Sequence, residues 1–219
     1  MNIKYELNEI YPRVFLVTMD NSYDLAMTFC RAQEFYESPY KEIRGKNFNI
    51  LEFQRLYTMR RGESCFTYPE DWCGFNVPSN VIWDLYYSSD IEDLNQYDTV
   101  FHKIIDKITC GSNNNEYRYY LIGAGTGDQK TQNHEIAHAF YYLHPTYKRE
   151  MNKLIKEINN NLYIKINNFL IDSGYTKKVI DDEIQAYLST GDSYLRDDGI
   201  KIPQYLTKKF QKIFEEYIK

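Results

Sequence analysis

The order of apolar patterns along this chain predicts an α+β protein. Short β-branched and aromatic runs occur in the first half, mixed with helices, and the second half reads as helix throughout. The expected architecture is one domain over residues 1–219. A small mixed sheet lies within about residues 1–130, and a helical lobe covers about 131–219.

Arg13 to Thr18 is the first strand-like run. A helix follows from about Tyr23 to Tyr36, with Leu25, Ala26, Phe29, Cys30 and Phe35 near helical spacing. Asn49 and Glu52 have the spacing of a capping box and open a short helix to about Met59. Ser64 to Tyr68 reads as a strand. Leu94, Tyr97, Phe101, Ile104, Ile105 and Ile108 then keep one helical face apolar, and Asn113-Asn114-Asn115 marks a loop. Tyr117 to Ile122 is strand-like and ends in glycines.

Beyond it, Thr131 to Leu143 forms one helix, which Pro145 helps to stop. A longer helical stretch runs from about Thr146 to Asp172, with Asn159-Asn160-Asn161 as a polar interruption inside it. Further helices are expected from Thr176 to Ser189 and from Gln204 to Tyr217.

Composition narrows the function classes. Charged residues make up 26% of the chain, an ordinary globular value, and no run approaches the roughly 18 apolar residues of a membrane span. With a net charge of −5 and scattered lysines, neither nucleic acid nor an anionic membrane is an expected partner. Met1 to Ile10 lacks the apolar core of a secretory signal, so a cytoplasmic location is expected. The spacings of Cys30, Cys65, Cys73 and Cys110 match no metal or redox motif, which predicts buried free thiols.

The chain has only four histidines, and two stand in His134-Glu135-Ile136-Ala137-His138. On a helix, residues i and i+4 lie one above the other, so both imidazoles can reach one metal ion. Glu135 lies about 100° around the helix, close enough to contact a water at the ion without ligating it. Packing alone would leave one histidine in solvent and bury the other. Ile136, Phe140 and Leu143, with Ala137, already supply an apolar face, so the histidines are free to line a cleft.

A tetrahedral zinc with two histidines and a water needs one more protein ligand. His144 stands where H-E-x-x-H-x-x-G-x-x-H places its third histidine, but Tyr141 replaces the glycine that would break the helix. The other candidate is Glu183 in Asp181-Asp182-Glu183. A helical wheel puts it within the apolar arc of Val179, Ile180, Ile184, Tyr187 and Leu188, where a carboxylate needs a partner. Asp182 falls outside that arc and Asp181 at its margin. Both suit the positive end of a helix dipole. Glu183 is the preferred third ligand, with His144 and the other acids as alternatives.

The order of strand, glycine-rich turn, H-E-x-x-H helix and a later glutamate 45 residues beyond His138 resembles the gluzincin branch of zincin-type zinc metallopeptidases. The resemblance covers about Tyr117 to Thr190. It implies a zincin-like fold and one zinc ion per chain, held by His134, His138 and Glu183. It also implies Glu135 as general base and a protein or peptide as substrate. The strand before the active-site helix would be a sheet edge, pairing with extended substrate at Tyr119 to Ala124.

Several gluzincins carry an acid four residues after the glutamate ligand. Tyr187 stands there in this chain, so support for the histidines is unassigned, and Tyr187 itself becomes a candidate oxyanion donor. On this reading Glu183→Ala should weaken zinc binding sharply and Asp182→Ala should not. Two rival functions are a binding or scaffold protein stabilised by zinc and a highly selective effector or toxin protease. Glu135 argues against the first, since a purely structural site needs no base.

Other signals carry less. Gly123 to Thr131 lacks the Gly-Lys pair of a phosphate loop and serves to turn the chain into the helix. His102 reads as a surface histidine. The aromatic segments Gln33 to Phe48 and Phe66 to Pro78 read as loops packed on the sheet, or as walls of a groove.

Overall fold

The computed structural model describes residues 3–86, 94–110 and 117–219 of the chain. The expected loop at Asn113-Asn114-Asn115 lies outside the described residues. The chain divides into two compact units, residues 1–132 and 133–219. Together they are α+β, a small sheet in the first and helices in the second.

The first unit is built on four strands, β1 (Glu6–Tyr11), β2 (Val14–Met19), β3 (Gly74–Pro78) and β4 (Tyr120–Gly125), in the order β1-β2-β4-β3. β1 and β2 form an antiparallel hairpin. Its turn holds Arg13 at a φ of 66°, and the Glu9 carboxylate accepts the Arg13 N–H at 2.7 Å. β4 runs parallel to β2, with Val14 opposite Tyr120, and antiparallel to β3.

β4 is therefore an interior strand. The expectation that Tyr119 to Ala124 forms a free peptide-binding edge is wrong, because neighbours on both sides already use its backbone groups. The edges are β1 and β3, and both are guarded. β1 exposes Glu6 and Glu9. On β3 the Asn76 N–H donates to Gln33 Oε1 at 3.1 Å, and Pro78 has no N–H to offer.

Helix α1 (Ser22–Glu37) packs on β2, β3 and β4. Gly123 makes this approach possible, since a Cβ there would sit 2.5 Å from Cε2 of the fully buried Phe29. α1 also contacts α3 (Tyr68–Asp71), α4 (Ser79–Tyr86) and α5 (Gln96–Thr109). Asp98 ties two of these together. It completes a capping box with Asn95 at the start of α5 and pairs with Arg31 of α1 at 2.9 Å, both side chains fully buried. α2 (Ile50–Arg61) starts at Asn49, whose side chain accepts the N–H groups of Leu51 and Glu52, and stops at left-handed Gly62.

Several expectations change here. Ser64 to Tyr68 is not a strand; the third strand comes later, at Gly74–Pro78. Of the four free thiols only Cys30 is buried, whereas Cys65, Cys73 and Cys110 are exposed. Phe35, Tyr36, Tyr40, Phe66 and Trp72 pack against the core as expected, but the two segments are loops only in part: Phe35 and Tyr36 belong to α1, and the second segment contains α3 and β3. His102 is half-buried with its ring edge-on to Tyr86. No described helix is long and apolar enough to cross a membrane.

The second unit consists of helices. α6 (Gln129–Leu143) enters it and is followed by α7 (Pro145–Glu157), α8 (Asn160–Asp172), α9 (Ile180–Thr190), α10 (Ser193–Asp197) and α11 (Gln204–Tyr217). The long stretch expected from Thr146 to Asp172 breaks at Ile158, because the Asn159 side chain accepts the Leu162 N–H and starts α8 anew. α9 packs against α7, α8 and α11, so it is buried on more than one face.

Candidate metal centre

The helix that carries the histidines is set by its first turn. Beyond β4, Gly127 at a φ of 79° turns the chain, and Asp128 caps α6. Its carboxylate accepts the Thr131 N–H at 3.1 Å and the Thr131 hydroxyl at 2.6 Å. From there the helix runs unbroken to Leu143, with Ile136, Ala137, Phe140 and Leu143 buried as its apolar face.

His134 and His138 stand one above the other, with Nε2 atoms 3.3 Å apart. Glu183 in the first turn of α9 faces them both. Its Oε1 lies 3.5 Å from His138 Nε2 and its Oε2 3.6 Å from His134 Nε2. These three residues form a cluster able to hold a metal ion, with ligand atoms all within 4.8 Å of one another. Glu183 is 3% exposed, yet its Oε2 accepts no hydrogen bond among the described residues. A buried carboxylate oxygen without a donor is costly and is the kind of atom a cation satisfies.

His138 is held from behind. Its Nδ1 lies 2.9 Å from Asp182 Oδ1, and the same oxygen accepts Gln185 Nε2 at 2.9 Å. Burial opposes a charge on this imidazole, but Asp182, Glu183 and Glu135 outweigh it and raise its pKa well above the usual histidine value in the ion-free protein. A cation binding there competes with that proton.

Glu135 is also buried on α6. The Tyr187 ring lies 4.5 Å from the His134 ring, and its hydroxyl is 3.0 Å from that of Tyr175. Burial, then the charge of Glu183, pushes both phenols upward, so both stay protonated. One hydroxyl donates to the other.

The structure thus brings together His134, Glu135, His138, Glu183 and Tyr187, all expected from the sequence. His144 does not join them. It follows the end of α6, its N–H donating to the Phe140 carbonyl at 2.9 Å, and serves as the N-cap residue of α7, with its ring against Phe140 and Tyr217. Asp182, expected to lie outside the site, contacts His138 directly. Gln185, Tyr147 and Tyr175 escaped the sequence reading. One signal pointed toward Gln185: residues 183–190 contain no Lys or Arg, which marks a helix with more than one covered face. Comparison with protein-family models, curated proteins and solved structures returns no match.

Proposed function

We propose that this chain is a zinc-dependent metallopeptidase of the zincin-like, gluzincin type, with zinc held by His134, His138 and Glu183. The observation that carries this reading is the convergence of both Nε2 atoms and the buried Glu183 carboxylate on one point. Bonds of about 2.0–2.1 Å at tetrahedral angles put ligand atoms about 3.3–3.4 Å apart. Here the two Nε2 atoms are 3.3 Å apart, and the Glu183 carboxylate spans them, Oε1 3.5 Å from His138 Nε2 and Oε2 3.6 Å from His134 Nε2, with one ligand atom from each residue falling within 4.8 Å of the others. Two imidazoles and one carboxylate are a donor set that suits zinc and leaves one position for water.

Zinc in that position supplies a Lewis acid that polarises a carbonyl and lowers the pKa of water to about 7. The chain's own residues supply the rest. Glu135, adjacent to His134 in sequence and too far around the helix to ligate with it, takes the proton of the attacking water and returns it to the leaving amine. Tyr187, whose ring lies 4.5 Å from that of His134, offers its hydroxyl proton to the oxygen that gains charge. A peptide as substrate follows from the resemblance of the motif and its downstream glutamate. It does not require β4 as an edge.

The test is Glu135→Gln, assayed by cleavage mapping on both lysate-derived peptides and intact lysate proteins. The variant should retain about one zinc per chain and lose hydrolysis by at least 10²-fold. Cleavage at the wild-type rate would remove Glu135 from the mechanism.

A further inference from the structure

The hydrogen bonds behind His138 do not stop at Asp182. Gln185 is 0% exposed, and its amide oxygen accepts the Tyr147 hydroxyl at 3.0 Å. Tyr147 is also 0% exposed, with its ring packed edge-on against Phe140 of α6 and Tyr217 of α11. A continuous chain therefore runs from Tyr147 on α7, through Gln185 and Asp182 on α9, to His138 on α6.

The direction of every bond is forced. An ionised carboxylate only accepts, so Gln185 must present its NH2 group to Asp182 and its carbonyl to Tyr147. That carbonyl needs a donor, and the phenol supplies one. Asp182 then also accepts from His138 Nδ1–H, so the proton that a cation displaces is the one on Nε2, and the lone pair it leaves faces His134 and Glu183. Asp182 alone is a weak clamp, because its side chain is 20% exposed and water can compete for it. Gln185 is fully enclosed and closes the other side.

We propose that Tyr147 and Gln185 are positioning residues for the cation site. Together they hold the Asp182 carboxylate in the orientation that keeps His138 ready to ligate. The proposal rests on reading His134, His138 and Glu183 as a cation site, and it adds the part of the second unit that sets that site's affinity.

The experiment measures Zn2+ affinity of the full chain by competition with a chromophoric chelator, well below the melting temperature of every variant. Gln185→Leu should weaken binding by roughly tenfold, the lower end of what residues behind a metal ligand contribute. Tyr147→Phe, which removes one oxygen and keeps the packed ring, should weaken it by about three- to tenfold. Because the two act in series, the double variant should bind within about twofold of Gln185→Leu alone. Co2+ spectra of the variants should shift as well, which a loss of general stability would not produce.

Zn2+ affinities within twofold of wild type in both single variants would overturn the proposal, as would effects that multiply in the double. Should Gln185→Leu fail to fold, Tyr147→Phe alone decides. A wild-type chain that takes up no Zn2+ defeats the metal reading instead. The network is then judged by the His138 Nδ1 proton resonance in the metal-free protein: faster exchange in Tyr147→Phe supports it, and unchanged exchange rejects it.

Discussion

Replacing Asp182 by alanine separates the structure from the sequence pattern. The helical wheel placed Asp182 outside the apolar arc and predicted no effect on the metal. In the structure Asp182 Oδ1 accepts two hydrogen bonds of 2.9 Å, from His138 and from Gln185. Charge-assisted bonds of this kind are worth about 1.5–3 kcal/mol each, and truncation leaves the buried Gln185 amide without an acceptor. Water recovers part of the loss, because the site is a fifth exposed on the Asp182 side.

The net expectation is a 10- to 100-fold loss of Zn2+ affinity, or about 1.4–2.7 kcal/mol. Glu183→Ala, which deletes a ligand outright, should lose far more. Chelator competition at one pH on the wild type and both variants gives the order directly. An Asp182→Ala variant that binds within twofold of wild type refutes the clamp. One that loses binding as completely as Glu183→Ala makes Asp182 a ligand itself.

Other predictions concern the first unit. Burial pushes the Glu34 carboxyl up from 4.5 to about 7, against the pull of the Ser38 and Tyr68 hydroxyls. The folded state then holds this proton more tightly than the unfolded one, so its contribution is complete below about pH 4.5 and is lost as pH rises through 7. Urea denaturation should show Glu34→Gln gaining about 2–3 kcal/mol on wild type between pH 5 and pH 8; parallel pH profiles would contradict this. Gly123→Ala should lower stability by about 1–3 kcal/mol, read as a fall in thermal midpoint, because the added methyl meets the Phe29 ring. A stable variant would mean that α1 can shift away from β4 at little cost.

What the sequence revealed and what it hid follow from how local each signal is. α11 runs from Gln204 to Tyr217 as expected, since one strong apolar stripe and a terminal proline mark it. β1 and β3 were missed. β1 sets Asn8 beside Glu9 and Ile10 beside Tyr11, which breaks the alternation that marks a half-buried strand, and Gly74-Phe75-Asn76-Val77-Pro78 has the composition of a loop. β4 begins and ends three residues later than expected and includes Gly123 and Gly125. The glycines that suggest a turn lie inside the strand, and Gly123 serves the packing of Phe29. The His134, His138 and Glu183 cluster was legible because helical spacing and a misplaced carboxylate are properties of single helices. Asp182, Gln185 and Tyr147 were not. Their roles depend on α9 being covered by α7, α8 and α11, and a wheel with one buried face cannot represent that.

The central claim is a divalent cation held by two imidazoles and one carboxylate. Elemental analysis of the chain, purified with zinc supplied and then dialysed, tests it most directly. About one zinc per wild-type chain is expected, and close to none in His134→Ala or Glu183→Ala. A wild-type chain free of zinc, or one whose zinc survives both substitutions, contradicts the account.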